Sequence, residues 1–153
     1  MPSDHLFATE TFIRLPRDDV FAFFAAAENL QRITPPELGF EILTPLPIAM
    51  DAGSRIDYRL RLFGAAFQWH TLISTWEPPF RFVDEQIRGP YRKWVHTHTF
   101  YKEDAGTRVV DEVRYRLPLW PVGEIAYPII RLQLNRIFRY RRRRMLELLG
   151  VGT

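Results

Sequence analysis

Between residues 55 and 117 turn residues cut the chain into short segments, and within each segment apolar and polar side chains alternate. That pattern limits the fold more than any other feature. Side chains along a strand point to opposite faces in turn. Ile56, Tyr58, Leu60 and Leu62 therefore share one face, and Arg55, Asp57, Arg59 and Arg61 the other. This is a strand with one dry and one wet side. Gly64, Glu77-Pro78-Pro79, Gly89-Pro90 and Asp104-Ala105-Gly106 bracket further strands over 67–76, 82–87, 94–102 and 109–117. Connections this short join antiparallel neighbours, because parallel strands need a long crossover.

The flanks complete the architecture. Residues 5–15 alternate well enough for a first strand. Asp18 is the expected N-cap of a helix carrying Val20, Phe23, Phe24 and Ala27 at helical spacing. Asn29 is expected to open a second short helix through Ile33, and Pro35-Pro36 stops it by removing ladder donors. A short strand over 40–43 and a loop over 44–53 follow. After a break at 118–123, one long helix runs to about residue 149, with Pro128 tolerable in its first turn. Ile130, Leu134, Ile137, Phe138, Met145 and Leu148 give it an apolar stripe. A sheet with one dry face has to cover that face, and this helix is the one element long enough. The reading is α+β: a seven-stranded curved antiparallel sheet around a long C-terminal helix, with two short helices after the first strand, in one domain over 1–153.

A chain of 153 residues can bury roughly 68–70% of its unfolded surface without staples. It has no cysteine, so disulfides and thiolate metal sites are excluded. The start carries no basic-apolar leader pattern, and no apolar run approaches a bilayer-spanning length. A cytoplasmic protein is expected. The formal charge is only +3, but Arg131, Arg136, Arg139 and the run Arg141, Arg142, Arg143, Arg144 crowd the last quarter. A solvated helix face explains them. Weak contact of the Arg141 to Arg144 run with an anionic surface is the functional alternative. Specific nucleic-acid binding is not expected, and the sequence leaves the oligomeric state open.

One strand departs from ordinary sheet composition. Trp94, His96, His98 and Phe100 share a face, where a core strand would carry aliphatic residues and a surface strand Lys, Glu or Thr. Two indole or phenyl rings and two imidazoles in alternation suit the wall of an apolar cavity with polar points. His70, beside Trp69, is expected to face outward. Gly-x-Ser-x-Gly, Walker, dinucleotide and HExxH patterns are all missing, which disfavours serine hydrolysis, phosphoryl transfer and hydride transfer.

The element order resembles the START-like, helix-grip superfamily, also called SRPBCC. The likeness rests on Trp76-Glu77-Pro78-Pro79, Phe82-Val83-Asp84-Glu85-Gln86, Gly89-Pro90-Tyr91, the segment Trp94 to Phe100, Gly106-Thr107, and Asp111-Glu112-Val113-Arg114-Tyr115. The Arg-rich tail from Gln133 to Leu148, with Tyr140, fits as well. The closest likeness is to small bacterial members of unassigned function, related to polyketide cyclases/dehydrases and coenzyme Q-binding proteins. The resemblance implies that the sheet face toward the long helix lines a pocket for a small hydrophobic molecule: a lipid, an isoprenoid or a polyketide-like compound. It nominates Tyr58, Leu60, Trp69, Ile73, Phe82, Asp84, Gln86, Trp94, His96, His98, Phe100, Asp111, Val113 and Tyr115 from the strands, and Ile130, Leu134 and Ile137 from the helix. It implies no cofactor and carries no catalytic set onto this chain.

Asp84, His96, His98 and Asp111 are costly to bury unpaired, and four readings explain them. The first is mutual pairing, with a carboxylate accepting from a histidine and fixing strand register. The second is recognition of a ligand hydroxyl or carbonyl. The third is acid/base catalysis on an enolisable ketone, as in a cyclase or dehydratase. The fourth is a metal site, for which one His-x-His pair without a second motif is thin support; no metal is expected. A non-catalytic binder is the leading expectation, an enzyme using His96 or His98 with Asp84 or Asp111 the alternative, and an interaction module built on the basic helix the third.

Overall fold

The computed structural model describes residues 4–150; Met1, Pro2 and Ser3, which belong to the expected leaderless start, lie outside the described residues, as do 151–153. Among the described residues there are seven strands: β1 His5–Ile13, β2 Glu41–Ile42, β3 Arg55–Leu62, β4 Ala65–Glu77, β5 Arg81–Arg88, β6 Lys93–Glu103 and β7 Gly106–Arg116. They form one antiparallel sheet in the order β1-β7-β6-β5-β4-β3-β2. From β2 to β7 each strand pairs with the next in sequence, as short turns dictate. β1 closes the far edge by pairing with β7 from His5↔Tyr115 to Ile13↔Thr107. The helices are α1 Arg17–Ala25, α2 Glu28–Arg32 and α3 Tyr127–Leu148. This is the helix-grip arrangement: a curved sheet wrapped against one long C-terminal helix.

Several local expectations shift. Pro16 occupies the N-cap of α1 with no side-chain cap, and Asp18 and Asp19 lie inside the first turn, where they meet the positive end of the helix dipole. α2 starts at Glu28, one residue before the expected Asn29. The Asn29 amide instead donates back to the Phe23 carbonyl at 2.8 Å, fixing the α1–α2 corner. The strand expected over 40–43 shortens to Glu41–Ile42. The break after β7 contains a 3-10 turn, Val122–Ala126, and α3 then begins with Pro128 in its first turn. Register slips between His70 and Thr71 and between Ile73 and Thr75, yet Trp69, Thr71 and Ile73 all remain buried. His70 lies on the wet face and meets Asp57 at 2.7 Å.

Gly106 is fixed by close approach rather than by its dihedrals. A Cβ on Gly106 would stand 2.2 Å from the Ile13 carbonyl oxygen. The β6–β7 hairpin can lie against the end of β1 only with no side chain there. Buried Thr107, next in sequence, donates to the Leu15 carbonyl at 2.8 Å and pins the same corner.

Two large clusters and a small third one of Ala27, Ile56 and Ile73 fill the dry side. Ile13, Val20, Phe21, Phe82, Phe100, Val109 and Met145 pack where α1 and the end of α3 meet the sheet. Phe7, Leu60, Trp69, Tyr91, Val113, Tyr115, Leu134 and Phe138 form the second, under the middle of α3.

Candidate functional site

An apolar cavity of about 150 Å³ lies between the β3–β6 part of the sheet and the helices. Its floor carries Tyr58, Leu60, Trp69, Thr71, Ile73, Phe82 and Asp84 from β3 to β5 and Trp94, His96 and His98 from β6. Its roof is Gln133, Leu134, Ile137, Phe138 and Arg141 of α3, which fall on one helix face at steps of three and four. Phe23, Phe24, Leu30 and Ile33 of the α1–α2 corner and Leu38 and Phe40 of the following turn close one side.

Of the residues nominated from sequence, Tyr58, Leu60, Trp69, Ile73, Phe82, Asp84, Trp94, His96, His98, Leu134 and Ile137 lie in this wall. Six others do not. Gln86 clamps the β5–β6 turn, donating to the Tyr91 carbonyl at 2.7 Å and accepting from the Tyr91 amide at 3.1 Å. Phe100 is packed among Phe21, Phe24 and Phe82. Val113 and Tyr115 are completely buried in the central cluster, Ile130 packs against that cluster, and Asp111 lies behind the two histidines. The nomination assumed that every strand of the dry face reaches the cavity. β7 does not, because Phe7, Phe138 and Met145 fill the space above it. The residues missed come mainly from the α1–α2 corner and from Tyr91 in the β5–β6 turn. Their signal was an excess of Phe, Leu and Ile over what two short helices need to cover themselves.

The polar cluster pairs across strands on the diagonal. Asp84 lies opposite His96, and His98 opposite Asp111. His98 nonetheless donates from Nε2 to Asp84 Oδ2 at 2.6 Å, and His96 from Nε2 to Asp111 Oδ1 at 2.8 Å. The remaining ring nitrogens approach the opposite carboxylates less closely: His98 Nδ1 is 3.3 Å from Asp111 Oδ1 and His96 Nδ1 is 3.8 Å from Asp84 Oδ2. The imidazoles stack on each other at 3.7 Å, and His98 stacks on Phe82 at 4.0 Å. A column of three rings thus runs across β5 and β6.

Burial works against every charge here, and partners decide the outcome. Burial raises the Asp111 carboxyl, but hydrogen bonds and charge from both histidines outweigh it and hold the group well below the usual carboxylate range. Asp84 is raised by burial too, and the His96 charge and the His98 hydrogen bond bring it below its ordinary value. Burial lowers His98, but its bonds to Asp111 and Asp84 push it above the ordinary histidine value. For His96, burial and the neighbouring His98 charge win, and its value falls. Both carboxyls are therefore biased toward the ionised form, and of the two imidazoles His98 holds its proton the more firmly. Arg141 in the cavity roof favours the ionised form of Asp84 by its charge, whereas burial raises Tyr58 and keeps it neutral. Arg141 is the compensating cation of the cavity wall.

Asp84, His96 and His98 bring potential metal-ligand atoms within 4.8 Å of one another. As they stand, two of these atoms bond each other. The 2.6 Å contact of His98 Nε2 with Asp84 Oδ2 is shorter than the roughly 3.4 Å between tetrahedral ligands about 2.1 Å from zinc. The geometry suits a proton-bonded network.

Comparison with known proteins places this fold. A family model described as polyketide cyclase / dehydrase and lipid transport matches residues 13–145. The chain belongs to that family, within the START-like (SRPBCC) superfamily. Among solved structures it is similar to the protein TTHA0849 from Thermus thermophilus, with a TM-score of 0.74 at 19% identity over 94% of this chain and 99% of that one. It is similar to the Zhui aromatase/cyclase from Streptomyces sp. R1128, with a TM-score of 0.75 at 14% identity over 95% and 93% of the two chains. Ara h 8.0201 follows, with a TM-score of 0.65 at 14% identity over 95% and 99%. At these identities the likeness is one of fold. No curated protein matches the sequence significantly. The family description supports binding of hydrophobic molecules in general terms. Among the described residues, no helix is long and apolar enough to cross a membrane.

Proposed function

We propose that this protein binds one small hydrophobic molecule in the cavity under α3, without transforming it. The observation that carries this reading is the cavity's combination of apolar walls and unmatched hydrogen-bonding groups. Trp69 Nε1, Gln133 Oε1 and Arg141 Nε are buried without partners, and all three residues line the space. Buried polar atoms of this kind are seldom left unmatched. Two are donors, so the ligand is apolar with an acceptor oxygen at one end. The volume of about 150 Å³ is close to that of an engineered cavity of about 150 Å³ that takes up benzene. As it stands, the cavity accepts a ring or a short branched segment of a lipid, isoprenoid or polyketide-like molecule. The test is calorimetry with toluene, benzyl alcohol and benzoic acid methyl ester, on the protein and on Ile137→Trp, whose indole would fill the cavity from the roof. Saturable binding that Ile137→Trp abolishes is expected; no binding by any of the three contradicts the proposal.

One observation favours a second reading, acid/base catalysis. His96 donates its Nε2–H to Asp111 in a hydrogen bond, so the neutral ring carries its lone pair on Nδ1, which has no hydrogen bond. His96 lies in the cavity wall. A proton taken there from the carbon between two carbonyls would leave an enolate beside Arg141. Exchange of that carbon-bound hydrogen in a small 1,3-diketone, followed in deuterium oxide, tests this. Exchange no faster than in buffer, or equally fast with His96→Gln, rules it out.

A further inference from the structure

The 3-10 turn before α3 and the outer side of α3 together carry a line of residues that neither the cavity nor the core uses. Val122, Ile125, Ile129, Leu132, Arg136, Arg139 and Arg143 follow one another at alternating steps of three and four, so they lie along one face. Its first half is apolar and open to solvent: Ile125 is 80% exposed, Leu132 66% and Ile129 56%. A soluble surface helix normally turns such residues inward. α3 already has a separate inward stripe in Leu134, Phe138 and Met145, so the outer apolar face is additional to the one that folding requires.

The loop before the helix extends this face. Leu119 is 79% exposed, and Trp120 and Val122 are exposed beside it. Its shape is fixed rather than slack. The Gly123 amide donates to the Leu119 carbonyl at 2.9 Å. A Cβ at Gly123 would stand 1.9 Å from the Pro118 carbonyl oxygen. Leu119 itself adopts φ +58°, a conformation that costs a non-glycine residue about 1–3 kcal/mol and clusters at functional segments. A strained turn therefore holds a leucine out in water next to a tryptophan.

The second half of the line is cationic. Arg136 pairs with Glu37 at 3.0 Å and Arg144 with Glu147 at 2.6 Å. Among the described residues, Arg139, Arg142 and Arg143 have no carboxylate within 4.0 Å. Arg136 and Arg143 flank the Tyr140 ring at 5.6 and 5.3 Å, which keeps their charge at the surface.

We propose that this face docks the protein on an anionic lipid bilayer, with the Leu119–Ile129 end dipping into the interface and the arginines resting on headgroups. The charge decides the occupant. An apolar patch alone would suit a second copy of the chain, but one continuous with three uncompensated arginines needs a partner that is both apolar and negative. Interfacial helices show this pairing of apolar insertion with basic contacts. Residues of α3 on the opposite side roof the cavity, so docking would bring the cavity close to a store of hydrophobic molecules. The inference does not depend on the cavity being occupied.

The experiment is co-sedimentation of the full chain with large unilamellar vesicles of phosphatidylcholine, with and without phosphatidylglycerol, alongside light scattering of the protein alone. Binding is expected only with phosphatidylglycerol present, and to weaken sharply between about 0.1 M and about 1 M salt as the screening length falls from about 10 to about 3 Å. Ile125→Ser combined with Ile129→Asp, and separately Arg139, Arg142 and Arg143 each →Gln, are each expected to reduce binding about tenfold or more. These residues are at the surface, so circular dichroism should show both variants folded. No sedimentation with anionic vesicles overturns the proposal, and so does binding that neither variant weakens. A dimer that Ile129→Asp dissociates, with no vesicle binding, assigns the face to a second copy instead.

Discussion

The two halves of the sheet share one dry face and one covering helix, yet one half is filled and the other is not. Over β1 and β7 the interior is closed by Ile13, Val109, Val113 and Tyr115, none of them measurably exposed. Over β3, β4, β5 and the Trp94–His98 part of β6 the same helix spans a cavity of about 150 Å³, and the Phe100 end of β6 belongs to the closed half. The difference comes from side-chain shape. The closed half uses branched aliphatic residues and interlocked phenyl rings around Phe21 and Phe100. The open half uses Tyr58, Trp69, Tyr91 and Trp94, large flat groups leaning on one another at 4.8 to 5.8 Å between ring centres. Such rings brace a wall without filling the space in front of it. The His–Asp cluster lies at the seam, with Asp111 on the closed side and Asp84 facing the open one.

That contrast can be broken by mutation. The largest effect is expected at the seam. Asp111→Asn removes from a dry site the carboxylate that accepts from His96 and one of the two that face His98, and breaking a buried charge network this way costs about 3–5 kcal/mol, to be read from urea unfolding. Truncation should separate the halves next. Phe100→Ala on the closed side is expected to cost about 3–5 kcal/mol, whereas Leu60→Ala in the cavity wall should stay near the low end of the aliphatic range, about 2 kcal/mol, because its neighbours already border open space. Enlargement should show the opposite preference. Val109→Leu overfills the closed side at about 1–3 kcal/mol, and Leu60→Phe is expected to cost about 1 kcal/mol or less. Equal costs in either comparison would mean that the halves are packed alike.

The smallest effect is in the pH dependence. The folded His98 has a raised pKa, so its contribution is fully present below the ordinary histidine value of about 6.5 and is lost as pH rises through the folded value. Asp111 is depressed, so its contribution is present above the ordinary carboxylate value of about 3.9 and is lost as pH falls through its folded value. Stability should therefore decline by up to about 1.4 kcal/mol per pH unit on each limb. His98→Asn is expected to flatten the alkaline limb and Asp111→Asn the acid one, in denaturant titrations across pH.

The strand order and the gripping helix were legible because alternation, proline-glycine turns and the α3 stripe all report local periodicity. The unusual face of β6 was legible for the same reason, and it led to the four polar residues that the structure joins. What could not be read was depth. Val113, Tyr115 and Phe100 obey the same alternation as Tyr58 and Trp69, and only packing decides that they back a filled region: Phe7 and Phe138 over Val113 and Tyr115, Phe21 and Phe24 over Phe100. The diagonal pairing of Asp84 with His98 and Asp111 with His96 depends likewise on sheet twist and register. Arg141 interrupts an apolar stripe in the sequence, and folding turns it into the cavity roof.

A crystal of this protein under xenon pressure tests the central contrast most directly. Xenon enters apolar voids and leaves filled cores empty. The account predicts one strong site bounded by Tyr58, Trp69, His98 and Leu134, with nothing over β1 and β7. Xenon between Phe7, Val113 and Phe138, or none anywhere under α3, would contradict it.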